Sequence, residues 1–318
     1  MSQRRNLSFD ELFGLAPPRR RFEEFLLMLR GDPYTPPSRF GPSSINILAG
    51  SLSLRTWLGK TRPDRRIPLY NLFNHTQTPP REGWSVRVTN VEDFRGGANT
   101  YDSHNGTDFA VPPGTVVVTA APGKVLRISS EFNRGGLKVF IDHGRGLMTT
   151  SNHLGRALVQ VGDIVERGQP IALSGASGVD MFFAFPWNCP HVHYNVWLNG
   201  EPVDPFARAG EASLWRCHNN PRPHSSSAPD DAPFEPSPWD ADAVDDAIES
   251  CVDPELRRQL RSLRGLDFRA ASTLFALNYY PTRFQERPLL YKERFPRIPY
   301  LDLPFRAEDF QGVVHRDR

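Results

Sequence analysis

Residues 189–198 read Cys189-Pro190-His191-Val192-His193-Tyr194-Asn195-Val196-Trp197-Leu198. After its proline the run is rich in β-branched and aromatic residues, the composition of a strand. Side chains alternate along a strand with a period of two, so His191 and His193 emerge on one face. Similar short runs stand upstream: WSVRVTNV at 84–91, TVVVTAAPGKVLRIS at 115–129 and LKVFIDHG at 137–144. Gly, Pro, Asn and Asp bound them, and PPGT and APGK supply turns between them. Strands at this spacing predict a mainly β fold built of antiparallel sheet, over about residues 84–208.

The rest of the chain limits what this domain serves. The protein has 318 residues, and its Lys+Arg total of 38 against 36 Asp+Glu gives a net charge of +2. That balance argues against a nucleic-acid partner held by bulk charge. Hydrophobic residues make up 39% of the sequence, mean hydropathy is −0.47, and no apolar run is long enough for a transmembrane segment. Three cysteines, Cys189, Cys217 and Cys251, exclude a disulfide scaffold, while one bridge with one free thiol is compatible with the count. The N-terminus has basic clusters at Arg4–Arg5 and Arg19–Arg21 without the apolar core of a secretory signal. Read as written, it has no signal peptide and the expected location is the cytoplasm.

Four segments are expected. Residues 1–83 form an N-terminal helix and extended arm: Ser8 and Glu11 fit a capping box, Phe22, Phe25, Leu26 and Leu29 share a helical stripe, and 32–83 is Pro-rich and aperiodic. Residues 84–208 are the β domain. Residues 209–239 are a Pro-rich acidic linker, with prolines at 221, 223, 229, 233, 236 and 238 beside Ser225–Ser227. Residues 240–318 are a helical and aromatic extension, with one helix opened by Asp253-Pro254 and a second at FRAASTLFALNYY. No Lys or Arg falls between Arg222 and Arg257, whereas ten Asp or Glu do. These acids are expected to be solvated or to meet Arg19–Arg21, and the extension is where a protein partner would dock.

Five of the nine histidines, 104, 143, 153, 191 and 193, fall within the β domain. His104-Asn105-Gly106-Thr107-Asp108 sets an imidazole and a carboxylate four positions apart on a turn entering a strand. Zinc accepts imidazole nitrogen and carboxylate oxygen, and a catalytic site leaves one position open. His104, Asp108 and one histidine of the His191/His193 pair make such a set. SGASG and DHGRG lack a phosphate-loop pattern.

HNGTDFAVPPGTVVVTAAPGKV (104–125), VFIDHGRGLMTTSNHL (139–154), VQVGDIVERGQPIALSGASG (159–178) and PHVHYNVWLNGEPVDPF (190–206) together resemble the lysostaphin- and LytM-type zinc metallopeptidases, family M23. The resemblance covers about two-fifths of the chain. It implies that His104, Asp108 and His193 hold Zn²⁺, that His153 and His191 are catalytic without being ligands, and that His143 is structural. It also implies a peptide substrate in peptidoglycan, and so a periplasmic or envelope location at odds with the missing signal. Two alternatives stay open: a peptidase with a non-wall substrate, and a LytM-like binding or regulatory module. Three departures stand out. Ser151 replaces the usual aromatic before the histidine, Asn195 replaces the usual Glu after HxH, and 179–188 is a long aromatic loop that fits a substrate wall, a lid or a segment packed on the core. Cys189 reads as structural. The flanking segments are expected either to restrict access to the groove or to complete the packing.

Overall fold

The computed structural model describes residues 6–225 and 231–316. Strands are β1 Arg66–Leu69, β2 Thr107–Ala110, β3 Val116–Val118, β4 Gly123–Glu131, β5 Gly136–Asp142, β6 Leu147–Ala157, β7 Ile164–Val165, β8 Pro170–Ser174, β9 His191–Leu198, β10 Glu201–Val203 and β11 Gly312–His315. Helices are α1 Phe9–Phe13, α2 Pro18–Arg30, α3 Gly50–Trp57, α4 Val179–Phe183, α5 Ala241–Glu249, α6 Pro254–Ser262 and α7 Leu266–Tyr279. The strands form one sheet in the order β11-β1-β2-β9-β6-β5-β4-β7, with β10 on β9, β8 on β6 and β3 on β8. Every pairing is antiparallel except β1 with β11. The mainly β, antiparallel expectation holds. No helix among the described residues is long and apolar enough to cross a membrane.

The two faces of the sheet have different cores. Val192, Tyr194, Val196 and Leu198 of β9 join Phe109, Val139, Ile141 and Leu154 on one face. The C-terminal residues Leu301, Leu303 and Phe305 cover that face, so the Pro- and aromatic-rich tail fills the main core. On the opposite face Trp197, Phe140, Met148 and Leu126 pack under α5 and α7. Residues outside 84–208 therefore contribute both to the sheet, through β1 and β11, and to both cores.

The N-terminal helix pair forms as its sequence suggests. The Ser8–Glu11 capping box closes α1, and Gly31 ends α2. Three local expectations fail. WSVRVTNV forms no strand, because the buried Asp102 carboxylate draws the segment around itself. That carboxylate accepts from Thr89 N at 2.8 Å, Thr89 Oγ1 at 2.6 Å and Ser85 Oγ at 3.0 Å. The 32–83 arm is not simply extended: it carries α3 and β1, and β1 finds its parallel partner near the other chain end. Nor do the acids of 231–255 meet Arg19–Arg21. Arg19 pairs with Glu23, and Arg20 and Arg21 pair with Glu24, all within α2. The ends are joined by the opposite polarity, with Arg283 bridging Asp32 and Asp253. The Arg4–Arg5 cluster, Ser226, Ser227, Pro229 and Asp230 lie outside the described residues. All three cysteines are free thiols, so no bridge forms.

Candidate metal centre

Asp108 of β2 stands directly opposite His193 of β9, and Asn152 of β6 stands opposite His193 from the other side. Antiparallel neighbours are about 4.5–5.5 Å apart at Cβ, so the sheet register alone brings these side chains together. His104 enters from the turn before β2. Each of His104, Asp108 and His193 offers a ligand atom, and these atoms lie within 4.8 Å of one another. His104 Nε2 is 3.0 Å and His193 Nδ1 2.8 Å from Asp108 Oδ1, and the two nitrogens are 3.1 Å apart. Gly106 is required by close approach, since a Cβ there would sit 2.8 Å from His193 Nε2 and 2.7 Å from the Tyr194 carbonyl.

The tautomers can be assigned from partners that only accept. His104 Nδ1 lies 2.5 Å from the Leu72 carbonyl and so carries the hydrogen. Its Nε2 lone pair then faces the Asp108 oxygen, an arrangement that repels unless a cation or a proton lies between them. This donor set fits a metal ion, and the carbonyl behind His104 is the kind of support that orients a ligating imidazole. Burial pushes the His193 imidazole down to about 4, so one of its ring nitrogens keeps a free lone pair near neutral pH. Burial alone would raise the Asp108 carboxyl, but the surrounding imidazoles outweigh it and hold it well below the usual carboxylate range. Asn71 Nδ2 donates to the other Asp108 oxygen at 2.7 Å and fixes the carboxylate.

His153 and His191 stand beside this cluster, their rings 4.7 Å apart. His191 Nδ1 donates to the Cys189 carbonyl at 2.7 Å, and His153 Nδ1 donates to the Ser177 carbonyl at 2.7 Å. In its neutral form each ring therefore carries its lone pair on Nε2, and for His191 that atom lies 3.6 Å from Asp108 Oδ1. Burial lowers the His153 pKa, and Asp180, 3.9 Å from its Nε2, offsets only part of that shift. His153 has φ +57°, a left-handed conformation uncommon for a residue with a Cβ. It sits in the β5–β6 irregularity, where Leu137 faces Leu154 but Val139 faces Ser151. Asn152 already faces the site, and strict alternation would send His153 into the opposite core. The left-handed backbone turns its ring back to the site.

His143 is satisfied at both nitrogens, by the Pro122 carbonyl at 2.9 Å and Thr149 Oγ1 at 2.8 Å. Cys189 is buried, and burial pushes its thiol up to about 12, which suits a structural residue. Asn195 joins a buried network with Asn105, Asn152 and Tyr279. The 179–188 loop packs against the N-terminal helices: Phe183 stacks on Phe25 at 4.8 Å, and Phe185 meets Trp57 at 4.9 Å and Phe13 at 5.8 Å. Asn71, the Leu72 carbonyl and the Tyr101 ring, 4.5 Å from His104, were missed by the sequence reading. No spacing signals them, because they act through backbone or through contacts formed only on folding.

An antiparallel sheet that aims two imidazoles and a carboxylate at one point, with two basic imidazoles alongside, is the arrangement of a metal-dependent hydrolase. Residues 102–205 match the model of peptidase family M23. Among relatives, an uncharacterized metalloprotease of Haemophilus influenzae is 37% identical over 32% of this chain and 20% of its own length. The peptidoglycan DD-endopeptidase ShyA of Vibrio cholerae is 42% identical over 32% of this chain and 22% of its own. The chain thus spans about a fifth of the length of the relatives it matches. A solved zinc-containing peptidase from Vibrio cholerae is 31% identical, covering 44% of this chain and 35% of that one, with a TM-score of 0.33.

Proposed function

We propose that the protein is a zinc-dependent endopeptidase that hydrolyses peptide bonds in the stem or cross-link peptides of peptidoglycan. The reading rests chiefly on the His104, Asp108 and His193 ligand atoms lying within 4.8 Å of one another, with the His104 Nε2 lone pair turned toward Asp108. These three residues would hold the ion. A bound zinc ion lowers the pKa of its water toward about 7 and polarises a carbonyl. The chain supplies the proton handling. His153 Nε2 and His191 Nε2, each fixed by an Nδ1–H to a carbonyl, are placed to take a proton from the attacking water and return it to the leaving amine. General acid–base help of this kind is worth roughly 10²–10⁴-fold. Asn71 and the Leu72 carbonyl keep Asp108 and His104 from rotating away. The names of the ShyA-type relatives point to peptidoglycan, and with it to action in the cell envelope. Digestion of purified peptidoglycan, followed by mass analysis, tests the proposal. Peptide-bond cleavage products that disappear with a chelator and return with zinc are expected. Undigested wall with zinc-loaded protein would overturn it.

A further inference from the structure

Four cations are buried among the described residues: Arg21, Arg134, Lys138 and Arg167. Three have carboxylates at hand: Arg21 has Glu24, Lys138 has Glu131, and Arg167 has Asp231 and Asp302. Arg134 has none among the described residues. It lies at the β4–β5 turn, 8% exposed, with its guanidinium 5.7 Å from the Trp84 ring centre and 5.5 Å from that of Tyr280. Nε donates to the Tyr279 carbonyl at 3.2 Å and Nη1 to the Asn133 carbonyl at 3.0 Å. Nη2 has no hydrogen bond among the described residues. Arg283 nearby adds repulsion rather than compensation. Removing a cation from water without an opposing charge is costly, and an anion that arrives with a ligand would offset that cost.

Arg134 lines a small cavity of about 40 Å³ that opens to solvent. Thr78, Ser103, Asn278 and Thr282 give the wall hydroxyl and amide groups, and Trp84 and Tyr280 give it aromatic faces. Ser103 immediately precedes His104, and Gln77 of the same wall donates to the His104 carbonyl at 3.2 Å. The turn is tied to the centre from its other side, since His153 N donates to the Gly135 carbonyl at 2.8 Å. The cavity therefore adjoins the candidate metal centre. The arm before residue 84 and the C-terminal helix complete it.

We propose that this cavity binds a carboxylate group of the peptide substrate, held by the open edge of the Arg134 guanidinium. The inference builds on the peptidase reading above. A planar guanidinium matches a carboxylate with paired N–H groups, which a lysine cannot reproduce. The substrate would thereby be selected by an anionic group at a fixed distance from the cleaved bond.

The test uses the full chain kept in chelator, so that hydrolysis plays no part. Melting temperature is followed over a concentration series of N-acetyl-D-alanyl-D-alanine, of its C-terminal amide and of inorganic phosphate. The acid should stabilise saturably, and the amide and phosphate should not. Arg134→Gln should abolish the response, and Arg134→Lys should weaken binding about tenfold or more. Thr282→Glu brings a carboxylate of its own to the cavity wall. It should raise the melting temperature without ligand and remove the response, whereas Thr282→Gln should do neither. If Arg134→Gln does not fold, the Thr282 pair decides. Equal responses to acid and amide, a response to phosphate matching that to the acid, or a response retained in Arg134→Gln or Thr282→Glu would overturn the inference. Protein that digests peptidoglycan but ignores the acid sinks only this inference. Protein that responds to the acid but digests nothing sinks only the peptidase reading.

Discussion

The two ends of β9 show one face of one strand in two different roles. His191 and His193 open the face at one end, buried among polar partners around Asp108. Trp197 closes it at the other end, packed with Phe140 at 5.4 Å and Tyr279 at 6.1 Å beneath α7. Asn195 lies between them. Alternation decides which side chains share a face, but what lies over the face decides their chemistry. Helix α7 brings Leu274, Phe275 and Tyr279 over the Trp197 end and makes it a core. Over the histidine end lie backbone carbonyls, from Leu72, Ser177 and Cys189, that fix imidazoles instead of excluding them.

If the ends differ in this way, changes at the histidine end should remove function and leave the fold. His193→Ala should fold, lose stoichiometric metal and show no measurable peptide hydrolysis. His153→Ala and His191→Ala should keep the metal and lose roughly 10²–10⁴-fold in kcat/KM. Metal analysis beside kinetics separates the two groups. Full metal in His193→Ala, or metal loss in either of the others, would redraw the ligand set.

The converse holds at the other end. Trp197→Ala should cost about 3–5 kcal/mol of stability, the usual penalty for emptying a large aromatic site in a core. Its metal content at low temperature should equal that of the wild type. Trp197→Phe should cost much less, because the buried indole Nε1 has no hydrogen-bond partner to lose among the described residues. Denaturant midpoints and metal content read both. Metal loss in folded Trp197→Ala would mean that the ends are not separable.

The sequence exposed these two ends unequally. Period-two alternation puts His191 and His193 on one face, and the spacing from His104 to Asp108 puts both on one turn. The structure brings these side chains and His153 together. Nothing local predicts that His153 reaches the site through a left-handed backbone, or that Asn71 steadies Asp108 from a segment that reads as an aperiodic arm. The β1–β11 pair has the same cause: Arg66 faces Gly312, and no window of sequence contains both. WSVRVTNV misleads for the opposite reason. Its composition is that of a strand, but a buried carboxylate outside the run claims its backbone.

Histidines themselves sharpen the comparison. Burial pushes His143 and His193 alike down to about 4. His143, however, has both nitrogens satisfied by protein, so its shift should appear in stability alone. Its folded value lies below the ordinary 6.5, so between about 4 and 6.5 the unfolded chain binds a proton that the folded chain does not. The contribution is intact above about pH 6.5 and declines as pH falls toward 4, by roughly 3 kcal/mol at most. In chelator throughout, the wild type should lose more stability than His143→Gln between pH 6.5 and 4.5. Parallel curves for the two proteins would show that His143 does not titrate in this window.

The smallest effect is expected at the border between the two ends. Tyr279 of α7 places its hydroxyl 3.2 Å from Asn195 Oδ1, and Asn152 Nδ2 lies 3.2 Å from that hydroxyl and 3.0 Å from the same Asn195 oxygen. Asn152 in turn stands opposite His193. This triangle is a polar connection from the helical core to the strand residue beside the candidate metal centre. Tyr279→Phe keeps the ring, which stacks on Phe275 at 4.7 Å, and removes only the hydroxyl. Asn152 still reaches Asn195 in the variant, so neither amide is left without a partner, and the loss should be that of one net hydrogen bond, about 1 kcal/mol. Metal content and kcat should stay at wild-type levels, because His104, His153 and His191 keep their carbonyl anchors and His193 keeps its contact with Asp108. A large fall in kcat at unchanged stability would show that the amide triangle positions His193 from the helical side. The two ends of β9 would then act as one unit, divided only in appearance by what covers them.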